Sequence, residues 1–405
     1  MKNIQKDFPI LKRKINGKRL VYLDNASTTQ KPKKVLKALQ DFYTTSNANI
    51  HRGIHTLSEE ATNQFEDVRQ KIAKFIGAPS SENIIFTKNT TESINCIRLG
   101  WAEQNIKQGD EIIVSALEHH ANLVPWQELC KAKKSVLKII PLSNDFTLDF
   151  QAYQKMLSQK TRLVCLTSQS NVTGTINPIK QMTKSAHAVG ARVAVDAAQT
   201  VGHQPMNAKD INCDFLSFSA HKMLGPTGVG VLYVKDGLME EMTPFIYGGE
   251  MVESVQEQSA SYRTGPWRFE AGTPNIAGII AFGATLDYLN EIGLKNIQTH
   301  DQELLTYAKK IFSRHPQVKI YSPSQIKDCG GVLSFSINGV HPHDIATIFN
   351  EEGVAIRSGF HCAEPLMNRL SINGTARLSF YIYNTKKDID AAEKALRKVF
   401  KIFRI

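Results

Sequence analysis

The feature that most constrains this chain is an alternation of short apolar runs with helical patterns over residues 83–234. The runs are "NIIFT" (Asn83–Thr87), "EIIVSA" (Glu111–Ala116), "LKIIPL" (Leu137–Leu142), "TRLVCLTS" (Thr161–Ser168), "ARVAVDAA" (Ala191–Ala198), "DFLSFSA" (Asp214–Ala220) and "GVGVLYV" (Gly228–Val234). Several are almost unbroken in Val, Ile and Leu, the pattern of strands whose sheet is covered on both faces. Helical patterns fall between most of them, after Thr91 and from Ile179 to Val189 for example. Such alternation predicts an α/β fold with a mostly parallel central sheet.

The last third changes character. A long helical pattern covers about Asn275–Ile292. It precedes "GGVLSFSI", a helix near Asp344–Glu352, "VAIRSG", "ARLSFYIY" and a basic amphipathic helix from about Lys386. This is α+β material. At 405 residues the chain exceeds the usual single domain of roughly 100–200. The expected division is a large domain over 21–289 and a smaller C-terminal domain over 290–405, with residues 1–20 packing against the smaller one.

Composition removes several functions. The net charge of +11 is scattered, and its densest clusters, Lys31–Lys34 and Lys131–Lys134, lack aromatic or Gly interleaving. No nucleic-acid partner is expected, although anionic ligands benefit from the charge. The six cysteines form no C-x-x-C pair, so no metal site is expected and a reducing compartment is. The N-terminus has no apolar signal core, and no run reaches the roughly 18 apolar residues of a membrane helix. The expectation is a soluble, cytoplasmic protein with no membrane partner.

Four places carry candidate chemistry. Lys222 follows a strand in a turn of small residues, "SAHKMLGPTGVG"; it is either a solvated loop lysine or a nucleophile toward carbonyls. Asp196 closes another apolar strand, where ligands of α/β sheets sit, though Asp also serves as a helix N-cap. Asn89, Thr90 and Thr91 open a helix, which suits either a phosphate or simple capping. His119 and His120 follow a strand, where a flat imidazole stacks on a planar ligand or donates a proton. Together these residues ask for one ligand: a planar, phosphate-bearing, cationic heterocycle with an aldehyde. Pyridoxal 5'-phosphate meets that description, with Lys222 for the aldehyde and Asp196 for the ring nitrogen.

With these residues in place, the chain resembles the SufS-type (group II) cysteine desulfurases of the class V aminotransferase family. The resemblance covers nearly the full length. It is carried by "YLDNASTTQKP", "NIHRGIHTLSEEAT", "NTTESIN", "EHHANLVPWQ", "SNVTGTINP", "VDAAQ", "SAHKMLGPTGVG", "FEAGTPN", "RSGFHCAEPLM" and "TARLSFYIYNT". It implies the pyridoxal-phosphate-dependent transferase fold-type I and a homodimer with active sites at its interface. It also implies that Lys222 binds the cofactor aldehyde and Asp196 pairs with the ring nitrogen. Gln199 would face the phenolic oxygen, and His119 would stack on the ring. Thr90, Thr91, Ser219 and His221 would hold the phosphate, with Thr273 reaching the phosphate of the neighbouring subunit. Asn171 and Arg377 would bind the substrate carboxylate; Arg357 and His55 would line the pocket. Ala197 and Ala220 stand where the family commonly has Gly. Phe360 replaces a usual His, which removes an imidazole that a proton relay there would need.

Cys362, alone on the loop "RSGFHCAEPLM", reads by itself as a small hydrophobe, a chance thiol or a nucleophile. The resemblance implies the last: L-cysteine becomes L-alanine, and its sulfur becomes a persulfide on Cys362, destined for iron–sulfur cluster assembly. Arg357 and His361, close in sequence, are expected to supply positive charge that ionises the thiol. Selenocysteine lyase activity is the alternative on the same scaffold. "NGVHPHDIATIF" resembles enzymes that work with a zinc-bearing SufU-type acceptor, implying a partner engaged through His343 or His341 in preference to a SufE-type one.

Overall fold

The computed structural model describes residues 4–405. Its main sheet has seven strands: β1 (Ile84–Thr87), β2 (Glu111–Ser115), β3 (Val136–Ile140), β4 (Thr161–Thr167), β5 (Arg192–Asp196), β6 (Phe215–Ser219) and β7 (Gly230–Val234). They lie in the order β1-β7-β6-β5-β4-β2-β3. From β6 through β3 every pairing is parallel. β7 is antiparallel to both its neighbours. The reason is length: the chain from Ser219 to Gly230 is too short to carry the crossover helix that a parallel return needs. That short return is where Lys222 sits.

Neighbouring residues on each strand enter different cores. Val164 and Leu166 belong to one buried cluster, Leu163 and Cys165 to another. This is the two-residue alternation of a strand, with a helical layer over each face. α1 (Thr90–Ile97) starts directly after β1, capped by Asn89, whose side chain accepts from the Glu92 amide. α2 (Ile276–Ile292) is apolar on most sides and largely buried, which suits its place in the layer.

A third cluster organises the C-terminal part. There β8 (Val318–Tyr321), β9 (Val332–Ile337), β10 (Arg357–Gly359) and β11 (Thr375–Ser379) form an antiparallel sheet in the order β8-β9-β11-β10. α3 (Leu294–Phe312), α4 (Pro342–Glu351) and, at the end of the chain, Lys386–Phe403 cover it. "VAIRSG" splits: Val354–Ala355 pairs in parallel with Val21–Tyr22, and only Arg357–Gly359 joins the four-stranded sheet. The N-terminal segment touches both bodies. Arg19 pairs with Asp388 at 2.6 Å, while Phe8 packs against Tyr383 in the core of the large layer, ring centroids 4.6 Å apart.

Candidate active site

The carboxyl ends of β4, β5 and β6 converge on a cavity of about 290 Å³. Its lining includes Thr90, Thr91, His119, Asn171, Asp196, Ser219, His221, Lys222, Arg357 and Arg377. Residues spread over nearly three hundred positions meet here because parallel strands deliver their loops to one edge.

Lys222 ends a single 3₁₀ turn, Ala220–Lys222, that leaves β6. Burial lowers its ammonium pKa, and Asp196 opposes the fall. Asp196 is buried at the end of β5; burial raises its carboxyl pKa, Lys222 opposes it, and the Ala198 amide donates to its Oδ1 at 2.9 Å. A lysine and a carboxylate, both drawn out of water, face one cavity. Thr90 donates its amide to Ser219 Oγ at 2.8 Å, and the two hydroxyls lie 2.6 Å apart at the start of α1. Hydroxyls, a helix N-terminus, a lysine and an acid lining one cavity fit the phosphate, aldehyde and ring nitrogen of pyridoxal phosphate.

His119 is held neutral. Burial first, then Lys222, lowers its pKa to about 3, and its Nδ1 accepts the Ala121 amide at 3.0 Å. His221 is lowered to about 4, again chiefly by burial. Gln199 does not line the cavity itself; it is buried and donates to the carbonyl of Ala26, which does.

Arg377 is buried and its Nη2 pairs with Asp24 at 3.0 Å, while Nη1 donates to the Asn171 carbonyl at 2.8 Å. Its Nε is buried without a partner. Ser27 accepts from both Arg377 (2.9 Å) and Arg357 (3.0 Å), joining the two guanidinium groups. The Asn171 amide donates to the His361 carbonyl at 2.8 Å, so it grips the loop that carries Cys362.

Cys362 is the one cysteine that is not buried; Cys96, Cys130, Cys165, Cys213 and Cys329 are. Burial raises all five of those thiols, Cys213 to about 12. Arg357 Nη2 lies 3.7 Å from Cys362 Sγ and supplies the expected positive charge. His361 does not. Its ring turns inward onto Thr375, 2.9 Å from Oγ1, and burial first, then Arg377 and Arg357, lowers its pKa to about 2. Phe360 is 43% exposed at the loop's outer side.

Two of the candidate residues lie elsewhere. His55 is exposed and caps the helix Thr56–Phe75 by accepting the Ser58 amide. Thr273 is exposed and lines a separate cavity with Gly228, Phe245 and Ile246. The structure brings neither to the cavity within one chain. His341 and His343 are exposed at the start of α4, ring centroids 4.9 Å apart. A Cβ on Gly359, at the end of β10, would lie 3.7 Å from His343 Nε2, so His343 borders the Cys362 loop. Among the described residues no three acidic, His or Cys side chains form a metal-holding group, and no helix is long and apolar enough to cross a membrane.

Some contributors gave no sign in the sequence. Glu118 is buried behind His119, where it accepts from Asn122 Nδ2 (2.7 Å) and the Thr167 amide (2.8 Å) and bonds Ser115 Oγ. It ties β2, β4 and the histidine turn together, and burial raises its pKa to about 8. Lys31 reaches the carbonyls of Thr29 and His221, and burial lowers it to about 7. Ser27 and Lys31 lie in the quoted "YLDNASTTQKP", but only the fold brings them to the lysine turn and the arginines.

The sheet and its cavity define the class: an α/β enzyme built around pyridoxal 5'-phosphate. The aminotransferase class-V family model matches residues 21–392, and the chain belongs to that family. A probable cysteine desulfurase of Halalkalibacterium halodurans is 46% identical over 400 residues, covering 99% of this chain and 98% of that one. The apo structure of cysteine desulfurase from Thermococcus onnurineus NA1 superposes with a TM-score of 0.94 at 38% identity, covering 98% of each chain. The cysteine desulfurase CsdA (S-sulfonic acid) from Escherichia coli gives 0.91 at 36% identity, with 98% coverage of each.

Proposed function

We infer that this enzyme is a cysteine desulfurase of the SufS type, converting L-cysteine to L-alanine and leaving a persulfide on Cys362. The observation that carries the reading is a lone accessible thiol, 3.7 Å from Arg357, beside a cavity that also holds Lys222 and Asp196. An aminotransferase needs no such thiol.

Bound in the cavity, pyridoxal phosphate supplies an electrophilic aldehyde and an electron sink for bonds at the substrate's α- and β-carbons. The residues of the chain do the rest. Asp196 holds the ring nitrogen, and Thr90, Thr91, Ser219 and His221 hold the phosphate. Arg377, with Asn171, positions the substrate carboxylate by charge-assisted hydrogen bonds. Lys222, its ammonium pKa lowered, removes the proton from Cα. Cys362 Sγ then bonds to the substrate sulfur as the Cβ–S bond breaks. The electron pair stays with Cβ, which takes a proton, Lys222 returns the proton to Cα, and alanine leaves. The sum is L-cysteine plus a thiol giving L-alanine plus a persulfide.

A homodimer would bring in the two displaced residues. His55 lies between Ile54, 97% exposed, and the exposed Leu57; Thr273 shares its cavity with exposed Ile246. Exposed apolar side chains beside both residues favour a subunit contact. We assign 21–289 and 290–405 as the two domains because, apart from Val21 and Leu23, the buried residues of one core cluster all lie at or beyond Leu304; residues 4–20 touch both, Arg19 reaching Asp388 and Phe8 packing into the core of the large layer. The acceptor proposed is a zinc-bearing SufU-like protein that meets His343 or His341, in preference to a SufE-like one, with cytoplasmic iron–sulfur assembly as the destination. Both histidines are exposed and His343 borders the nucleophile loop, which supports this.

The test is turnover of L-cysteine and L-selenocysteine under reductant, with and without a zinc-loaded acceptor. The reading expects alanine from cysteine, and acceptor stimulation that a His341→Ala, His343→Ala double variant loses. Turnover of selenocysteine alone would make the enzyme a selenocysteine lyase.

A further inference from the structure

We propose that His120 is a positioning residue that latches the Cys362 loop closed, through a neutral imidazole that accepts a backbone hydrogen bond. The proposal rests on the reading of Cys362 as sulfur acceptor and deepens it.

The loop leaves β10 at Gly359 and enters α5 (Glu364–Arg369) five residues later. His361 and Cys362 both take left-handed backbone conformations, with φ of 53° and 57°. L side chains adopt that region rarely, so two in succession persist only where the surroundings hold them. Ala363, at the N-cap of α5, offers no side-chain acceptor to the first turn. The opening amides of a helix need partners from outside.

His120 supplies the grip. Its amide donates to the Cys362 carbonyl at 2.7 Å, and its Nε2 accepts the Glu364 amide at 3.0 Å. One residue, remote in sequence, thus holds the chain at the thiol residue itself and two residues beyond it. Acceptance at Nε2 leaves the imidazole proton on Nδ1. His119 has the opposite arrangement, because its Nδ1 accepts the Ala121 amide. Adjacent histidines therefore divide the work: one walls the cofactor cavity, the other fixes the thiol loop. Glu364 is exposed, so water can take over its amide if the imidazole is removed, and the His120 backbone bond survives. The latch can accordingly be lost without loss of the fold.

The experiment compares His120→Ala and His120→Gln with wild type, each as holoenzyme. Gln can place an oxygen close to the position of Nε2. One reading is the rate of alanine formation in the first turnover without reductant. The other is the rate at which iodoacetamide alkylates Cys362, read by mass spectrometry. The alanine variant is expected to lose about fivefold in first-turnover rate and gain a similar factor in alkylation, the scale of one neutral hydrogen bond. KM for L-cysteine and the visible cofactor band should stay unchanged, and Gln should restore both rates. Wild-type rates in His120→Ala, or equal impairment in both variants, would overturn the latch. Cys362→Ser is run alongside: if it still transfers sulfur, the nucleophile assignment fails, while the alkylation rates still decide the latch.

Discussion

Lys222 and Cys362 occupy turns of different construction. The lysine turn joins β6 to β7, two strands of one sheet, and is held from two directions: Met223 and Gly225 donate to the Ala220 carbonyl and Ala220 to Val229, while Thr29 and Lys31 donate to the His221 carbonyl. The cysteine loop joins two cores. It leaves β10 of the C-terminal sheet, and Ala363, Leu366 and Met367 pack into the core of the large layer. Two of its residues are left-handed, and its restraints come from Asn171 and His120 on the large body. The difference matches the two tasks. A covalent anchor for a cofactor needs a fixed position. A thiol that takes up sulfur and passes it on needs a position that can be left, and a loop slung between two cores by a few hydrogen bonds provides that.

Mutations on the two sides should separate along the same line. The largest effect belongs to the lysine side. Lys222→Ala is expected to lower turnover by about 10²–10⁴-fold or more, the range for a lost acid–base group, and to abolish covalent cofactor attachment. Reduction with borohydride and mass analysis would check it; an intact covalent adduct would break the comparison. Arg377→Ala comes next. Losing a charge-assisted anchor of about 1.5–3 kcal/mol should reduce kcat/KM for L-cysteine by about 10–150-fold. Removing Arg377 also frees Ser27 and Asp24, so Ser27→Ala, tested alone, sharpens the assignment by showing a smaller loss.

A third effect reaches both sides. His119, His221 and His361 are lowered to about 3, 4 and 2 by burial. In the unfolded chain each takes up a proton as pH falls through about 6.5, and in the fold it does not. The unfolded state therefore gains protons, and stability drops as pH falls from about 6.5 toward 4, by up to about 1.4 kcal/mol per pH unit for each histidine. Urea unfolding of the cofactor-free protein across that range measures the slope, and His361→Gln should flatten it. An unchanged slope would mean that His361 is not held neutral.

Much of the lysine side was legible in the sequence, for a physical reason. Buried parallel strands read as apolar runs, and ligand-binding residues follow the ends of those runs. Asp196, Lys222 and Thr90 could be placed by that rule. The antiparallel setting of β7 was not read, although the ten residues between β6 and β7 contain it. The cysteine side was legible only as a motif. Nothing local to "RSGFHCAEPLM" says that His361 turns inward onto Thr375, or that Asn171 and His120 hold the backbone. The Asn171 and His120 contacts span 190 and 244 positions and exist only once the two cores have closed on each other. Glu118 was hidden for a similar reason, because a carboxylate beside two histidines gives no sign of being buried.

The central claim is that sulfur moves from substrate to Cys362, and one single-turnover experiment meets it directly. Holoenzyme and its Cys362→Ser variant would each be mixed with one equivalent of L-cysteine without reductant, quenched and digested. Alanine would be quantified and the peptide containing residue 362 weighed. The account predicts one alanine and one added sulfur on Cys362 in the wild type, with neither in the variant although its visible band persists. Alanine formed equally by both proteins, with no added sulfur at Cys362, would contradict it.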